Sequence, residues 1–218
     1  MRLSHLAVAS LLITLLGGIS AGSWLSNSLG DAVTAVPEPL PDMPEGTYNI
    51  DSAHSTAMFR VQHLGAGNFW GRFNDVKGTI QFDAHDAEKT FEFAITIPVI
   101  SIDSGIEKLD THLKSPDFFN AKENEAISFK STAIERLSQN VWDVEGNLTL
   151  NGVTNEIVAL VRFVGTAAIG RGGKQRAGFE ATIDIERSEF GMSYGVENGM
   201  LGDTTHIVVA MEAIHDDT

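Results

Sequence analysis

Val141-Trp142-Asp143-Val144-Glu145-Gly146-Asn147-Leu148-Thr149-Leu150-Asn151-Gly152 is the stretch that decides the fold class. Trp142, Val144, Leu148 and Leu150 alternate with Asp143, Glu145, Asn147 and Thr149, the period of a strand with one buried face. Asn151-Gly152 follows at once, and both residue types accept the positive φ angles of a two-residue hairpin turn. Residues 156–165 then read as the returning strand, apolar on both faces for much of their length.

The same pattern extends in both directions. Ser55, Ala57, Phe59, Val61 and His63 share one face of a strand, and residues 69–82 form a second strand region interrupted near Asn74-Asp75. Phe91, Phe93, Ile95 and Ile97 align over residues 90–99, and residues 126–134 form another strand. Phe179, Ala181, Ile183 and Ile185 align over residues 177–186, and Ile207, Val209, Met211 and Ala213 over residues 206–214. One helical segment, residues 103–114, interrupts the series. Ile106, Leu109 and Leu113 share its face, Asp103 or Ser104 is its expected N-cap, and Pro116 ends it. Hairpins in sequence, without crossover helices, exclude a parallel sheet. The prediction is an all-β protein: an eight-stranded antiparallel barrel with a short helix near one end. Such a barrel is just wide enough either to fill with side chains or to hold one small ligand, and periodicity leaves both states open.

The 218 residues carry a formal net charge of −14, a surface that repels phosphate backbones and so excludes nucleic-acid binding. With no cysteine there is no disulfide, thiol nucleophile or thiolate metal site. Residues 1–23 have the layout of a secretory signal peptide. Arg2 is followed by an apolar run and by Ser20-Ala21-Gly22-Ser23, with cleavage expected after Ala21 or Ser23; an uncleaved anchor is the alternative. Residues 24–46, with Pro37, Pro39, Pro41 and Pro44 among acidic residues, read as a linker, and the barrel domain is expected over 47–218. The expected location is therefore periplasmic or otherwise exported, with an inner-membrane tether if the first segment is retained.

Catalytic signals are sparse. His54, His63, His112, His206 and His215 are scattered, and no His-Glu-x-x-His or Gly-x-Ser-x-Gly run occurs. Asp51 and His54 can meet, but two residues do not make a metal site. The turn at 170–173 lacks the ending of a phosphate loop.

Four stretches, taken in order, go further. Tyr48-Asn49-Ile50-Asp51-Ser52-Ala53-His54-Ser55 runs into Phe59-Arg60-Val61-Gln62-His63-Leu64 and Gly71-Arg72-Phe73. Ser101-Ile102-Asp103-Ser104 precedes Asp110-Thr111-His112-Leu113-Lys114-Ser115-Pro116-Asp117-Phe118-Phe119. Ile127-Ser128-Phe129-Lys130-Ser131-Thr132 and Gly146-Asn147-Leu148-Thr149-Leu150-Asn151-Gly152-Val153-Thr154 follow. Together they resemble the YceI-like family from Thr47 to the C-terminus. The resemblance implies a lipocalin-like barrel of an exported bacterial protein, often dimeric, that binds a long polyisoprenoid or fatty lipid in its lumen and is not an enzyme. Two positions depart from the family pattern: Leu109 stands where an arginine often precedes the aspartate, and Asn124-Glu125 replaces an aromatic-proline pair.

On that reading the expected lining is Phe59, Val61, Phe93, Ile95, Phe129, Trp142, Phe163, Phe179 and Ile183. His63, Asp110 and His112 are the polar candidates near the mouth, with Asp110 also suited to capping its own helix region. No cofactor is expected beyond the lipid, and transient contact with an envelope membrane and a homodimer are the expected associations. The alternatives are a hydrolase or isomerase using His63 or His112 as base on a hydrophobic substrate, and a filled barrel serving as a structural or stress-response envelope module.

Overall fold

The computed structural model describes residues 41–86, 90–167 and 173–216. The expected signal segment, residues 24–40 of the expected linker, part of the polar turn near residue 88 and most of the glycine-rich tip at 170–173 lie outside the described residues.

Eleven strands and one helix follow in order. They are β1 (Gly46–Ile50), β2 (Thr56–His63), β3 (Gly67–Phe73), β4 (Lys77–Phe82), β5 (Phe91–Pro98) and β6 (Ile102–Asp103), then helix α1 (Glu107–Leu113). The remainder are β7 (Ala126–Ser138), β8 (Val141–Leu150), β9 (Val153–Ala167), β10 (Arg176–Glu186) and β11 (Leu201–His215). Every pairing is antiparallel.

Eleven strands reduce to the eight of the prediction because the first three long strands are each broken once. Between β1 and β2 the Asp51 carboxylate accepts the Ala53 amide and starts a single 3-10 turn, Ser52–His54. Between β3 and β4 lie Asn74, Asp75 and Val76, where the interruption was expected. Between β5 and β6, Pro98 leads into a second 3-10 turn, Val99–Ser101. Asn74 donates its amide to Ser101, so two of the breaks are tied together. β1, which reaches back to Gly46, begins one residue before the expected domain start. Five residues directly after a proline-rich run give too little alternation to declare a strand.

The ladder runs β1-β4-β5-β7-β8-β9-β10-β11 and closes by pairing β11 with β1. β11 serves two neighbours. Its last residues pair with β1, Tyr48 opposite His215, whereas Thr205–Ala210 pair with β2. At the far end β2, β3 and β6 continue the sheet, but no β6–β7 ladder forms among the described residues. That gap is where α1 and the following segment carry the chain from β6 to β7. Asn151 and Gly152 have φ of +51° and +77°, and Leu150 pairs with Val153, so the two-residue hairpin forms as its sequence requires.

The helix is shorter than predicted. Asp103 belongs to β6, where its carboxylate accepts from Arg72 across the β3–β6 pair, and the N-cap is Ile106 without a capping side chain. Asp110 replaces the cap from inside the helix: its Oδ1 accepts the Ser104 amide at 2.7 Å and the Ser104 hydroxyl. A carboxylate in the first turn also faces the positive end of the helix.

Candidate functional site

Inward-facing residues of the ring behave differently at its two ends. Where β1 closes on β11, Tyr48, Ile80, Phe82, Phe91, Trp142, Val144, Phe179 and Ala213 are buried and fill the interior. Phe91 is the hub, with its ring centroid 5.1 Å from Phe82, Trp142 and Phe179 alike. Phe163 and Phe93 also pack edge-on against the Phe179 ring.

Above Phe93 the interior is hollow. A cavity of about 520 Å³ reaches the end that carries α1, within the range of about 300–1,000 Å³ usual for small-molecule sites. Phe59, Val61, Phe93, Ile95, Phe129 and Ile183 line it, and so do His63 and His112 near its mouth. Phe93 is its floor. Trp142, Phe163 and Phe179 do not line it; they belong to the aromatic plug beneath, which corrects their expected place. Alternation assigns a side chain to the inner face but not to a depth along the barrel, and these three lie too deep. Asp110 is also off the lining, held by Ser104.

Two glycines keep the hollow clear. Gly71 lies directly across from Phe59, and a Cβ on it would stand 2.3 Å from the Phe59 Cζ. A Cβ on Gly146 would stand 2.4 Å from the Phe129 Cζ. With no side chain beneath them, both rings lie down on the sheet instead of standing into the lumen.

The mouth is built from loops. Phe119 packs edge-on against Phe73 and against Phe59, joining the segment after α1 to the sheet. His112, Phe118 and Tyr194 form a second aromatic group, with His112 about 5 Å from each of the two rings. His112 Nε2 pairs with the Asp117 carboxylate at 2.9 Å. Leu64, Ile106 and Tyr194 stand exposed around this end.

Arg187, which the sequence reading missed, also lines the cavity. It is 4% exposed. Its Nε, Nη1 and Nη2 donate to the carbonyls of Gly202, Met192 and Tyr194 at 2.9, 2.6 and 2.8 Å. Burial pushes its pKa down, and Asp203 acts in the opposite sense. A signal was available: in sequence, Arg187 falls at the next period-two position after Ala181, Ile183 and Ile185, although β10 itself ends at Glu186. The loop residues Phe118, Phe119 and Tyr194 had no such signal, because no period runs through them.

The described residues hold one cluster of possible metal-ligand atoms, Asp51, His54 and Glu212, on the outer side of the β1–β2 break. Asp51 and His54 do meet, at 2.8 Å. Arg176 Nη1, however, donates to both Asp51 and Glu212, so a guanidinium already takes the place of a cation. That bond, with the His54 contact behind it, lowers the Asp51 pKa from 3.8 to about 2.

Comparison with known proteins agrees with this architecture. Residues 48–213 match the YceI-like domain. A UPF0312 protein of Serratia proteamaculans is 32% identical over 199 residues, covering 90% of this chain and 95% of the relative. Protein YceI of Escherichia coli O17:K52:H18 is 33% identical over 171 residues, covering 77% and 86%. Among solved structures, Burkholderia cenocepacia BcnA aligns with a TM-score of 0.67 at 23% identity, over 75% of this chain and 99% of its own. A domain from Saccharophagus degradans, described as polyisoprenoid binding, aligns with a TM-score of 0.62 at 15% identity, over 78% and 98%. The eight-stranded barrel fold is thus one that solved neighbours share, and with the domain match over residues 48–213 the chain belongs to the YceI-like family.

Proposed function

We propose that this protein is an exported binding and carrier protein that holds one long apolar lipid, a polyisoprenoid or fatty chain, inside its barrel. The observation that carries the reading is the closed floor and open mouth of a cavity whose walls are almost wholly aliphatic and aromatic. A hollow of that kind has no use as a structural core, because its lining forgoes the contacts that filling it would supply. The description of the Saccharophagus domain as polyisoprenoid binding supports the same ligand class.

The energetics suffice without strong polar contacts. Burying ~600 Å² of hydrocarbon at ~25 cal/mol/Å² gives ~15 kcal/mol gross. Association costs of ~4–15 kcal/mol leave micromolar or tighter binding within reach. Leu64, Ile106 and Tyr194 around the mouth suit transient contact with the membrane that supplies or receives the lipid.

An enzymatic role is not favoured. Among the described residues the lining holds no serine, aspartate or glutamate that could serve as nucleophile or partner acid, and the one carboxylate paired with a candidate base, Asp117 on His112 Nε2, is not among the lining residues. The test is organic extraction of protein purified from its own host, followed by mass spectrometry. One lipid per chain is the expected result. An empty extract, together with no uptake of a neutral fluorescent probe such as 1-N-phenylnaphthylamine, would end the carrier reading.

A further inference from the structure

The cavity lining is mostly hydrocarbon, with His63, His112, Thr205 and Tyr194 as its neutral polar groups, and it includes one permanent charge, Arg187. Arg187 directly follows β10, as the first residue of the 3-10 turn Arg187–Phe190, in a lining that is otherwise mostly hydrocarbon. No carboxylate bonds it. Asp203, whose charge acts on Arg187, makes its contacts with Ser188 instead, accepting the backbone amide at 2.8 Å and the hydroxyl at 2.6 Å. The three backbone carbonyls on Arg187 are neutral dipoles. They hold the guanidinium in place and soften its desolvation, but they leave its positive charge without a counter-charge in contact.

Donor accounting points the same way. A guanidinium has five N–H groups, and none is lost near neutral pH. One donor each from Nε, Nη1 and Nη2 is engaged. One N–H on each terminal nitrogen therefore has no protein acceptor among the described residues. Two donors on adjacent nitrogens match the two oxygens of a carboxylate or a phosphate, the arrangement in which arginine binds most strongly. Loop anchoring alone explains the three carbonyl bonds. It does not explain why a cation with donors to spare borders an apolar hollow, since a buried charge without a partner is costly.

We propose that Arg187 is the head-group recognition residue of the cavity, and that the preferred ligand is an apolar chain ending in an anionic oxygen group, a carboxylate or phosphate, rather than in a neutral head. The proposal rests on the carrier reading and narrows it. The aliphatic and aromatic lining takes the tail, while the terminal N–H groups of Arg187 donate to the anionic oxygens. Fatty acids and prenyl phosphates both carry the required chemistry.

The test compares ligands with the same tail and different heads on the intact, delipidated protein. Displacement of bound 1-N-phenylnaphthylamine is read at pH 7.5 for oleic acid against oleyl alcohol, and for farnesyl phosphate against farnesol. The expected result is at least tenfold tighter binding of the acid or of the phosphate than of its alcohol. Which pair shows the larger ratio distinguishes a fatty acid from a prenyl phosphate. In Arg187→Met the acid-to-alcohol ratio should fall to near one. Arg187→Lys, which keeps the charge on a single nitrogen, should retain an intermediate ratio. Equal binding of acid and alcohol by the natural protein overturns the head-group proposal while leaving the carrier reading standing, and it needs no variant to fold. Failure of the neutral probe to bind at all overturns both. A full preference surviving in Arg187→Met removes Arg187 from the role.

Discussion

Where β1 closes on β11, the ring of strands surrounds a plug of rings with Phe91 at its centre; at the other end the same sheet, with no β6–β7 pair among the described residues, stands around a hollow whose mouth is bordered by α1 and its loop. Both ends use inward-facing apolar residues at period two. What differs is what those residues meet. In the plug, Phe82, Phe91, Trp142 and Phe179 reach one another across the barrel. In the hollow, Phe59 and Phe129 lie flat over Gly71 and Gly146, and the lining of branched aliphatics stops short of the centre. Stability and binding are therefore expected to reside at opposite ends of one barrel.

The largest effect expected of that division is at the hub of the plug. Phe91→Ala removes the ring that touches Phe82, Trp142, Phe179 and Phe93, and a buried Phe→Ala change costs about 3–5 kcal/mol. Urea unfolding of the delipidated protein should show the loss in its midpoint with little change in slope. A cost below about 1 kcal/mol would mean that the plug is not the stability core.

How much of this could be read in the sequence follows from what period two encodes. It fixes faces, so the hairpin at Asn151-Gly152, the eight strand regions and the break at Asn74 were all legible. It does not fix depth, so Trp142, Phe163 and Phe179 were expected in the lining although they sit in the plug. Nor does it reach residues whose position comes from loops, which is why Phe118, Phe119 and Tyr194 at the mouth gave no pattern. Local capping logic also misplaced the start of the helix. Asp103 is a good N-cap in isolation, but Arg72 and Asn74 claim its carboxylate across the sheet.

A second experiment sharpens the contrast by filling the hollow from within. Gly71→Ala puts a Cβ where only the Phe59 ring now fits, and the ring is the part able to move. β-Propensity alone favours alanine over glycine in a strand. Overpacking opposes it at about 1–3 kcal/mol. The expected net result is mild destabilisation with at least fivefold weaker binding of 1-N-phenylnaphthylamine, because the displaced ring enters the cavity. Unchanged binding would show that Phe59 can move without occupying ligand space.

Next in size is a pH effect at the outer seam between the two ends, where β11 changes partner. There Asp51 is held by Arg176, with Glu212 on the same guanidinium. The Asp51 pKa is lowered from 3.8 to about 2, so the unfolded chain binds its proton at higher pH than the folded one. The contribution is fully present above about pH 5 and is lost as pH falls through the window from about 4 to 2, at up to about 2 kcal/mol. Asp51→Asn should cost about that much at pH 7 and almost nothing at pH 2. A variant deficit that stays constant across the window would assign the loss to the Ala53 cap instead of the ion pair.

The smallest effect is expected in the wall of the hollow, and it bears most directly on the comparison. Ile183 faces the cavity from β10, four residues along the same inner face from Phe179 of the plug. A packed Ile→Ala site loses about 2–5 kcal/mol, much of it from the new void. At Ile183 the void already exists, and the side chain has few partner atoms on its inner side to lose. Ile183→Ala should therefore cost only about 1 kcal/mol in the delipidated protein, chiefly lost transfer energy. The stabilisation gained when lipid binds should shrink as well, because linkage ties that gain to ligand affinity. Thermal unfolding with and without an added long-chain ligand separates the two terms. If Ile183→Ala cost as much as Phe91→Ala in the empty protein, the wall would be packed against something, and the division into a stabilising end and a receiving end would fail.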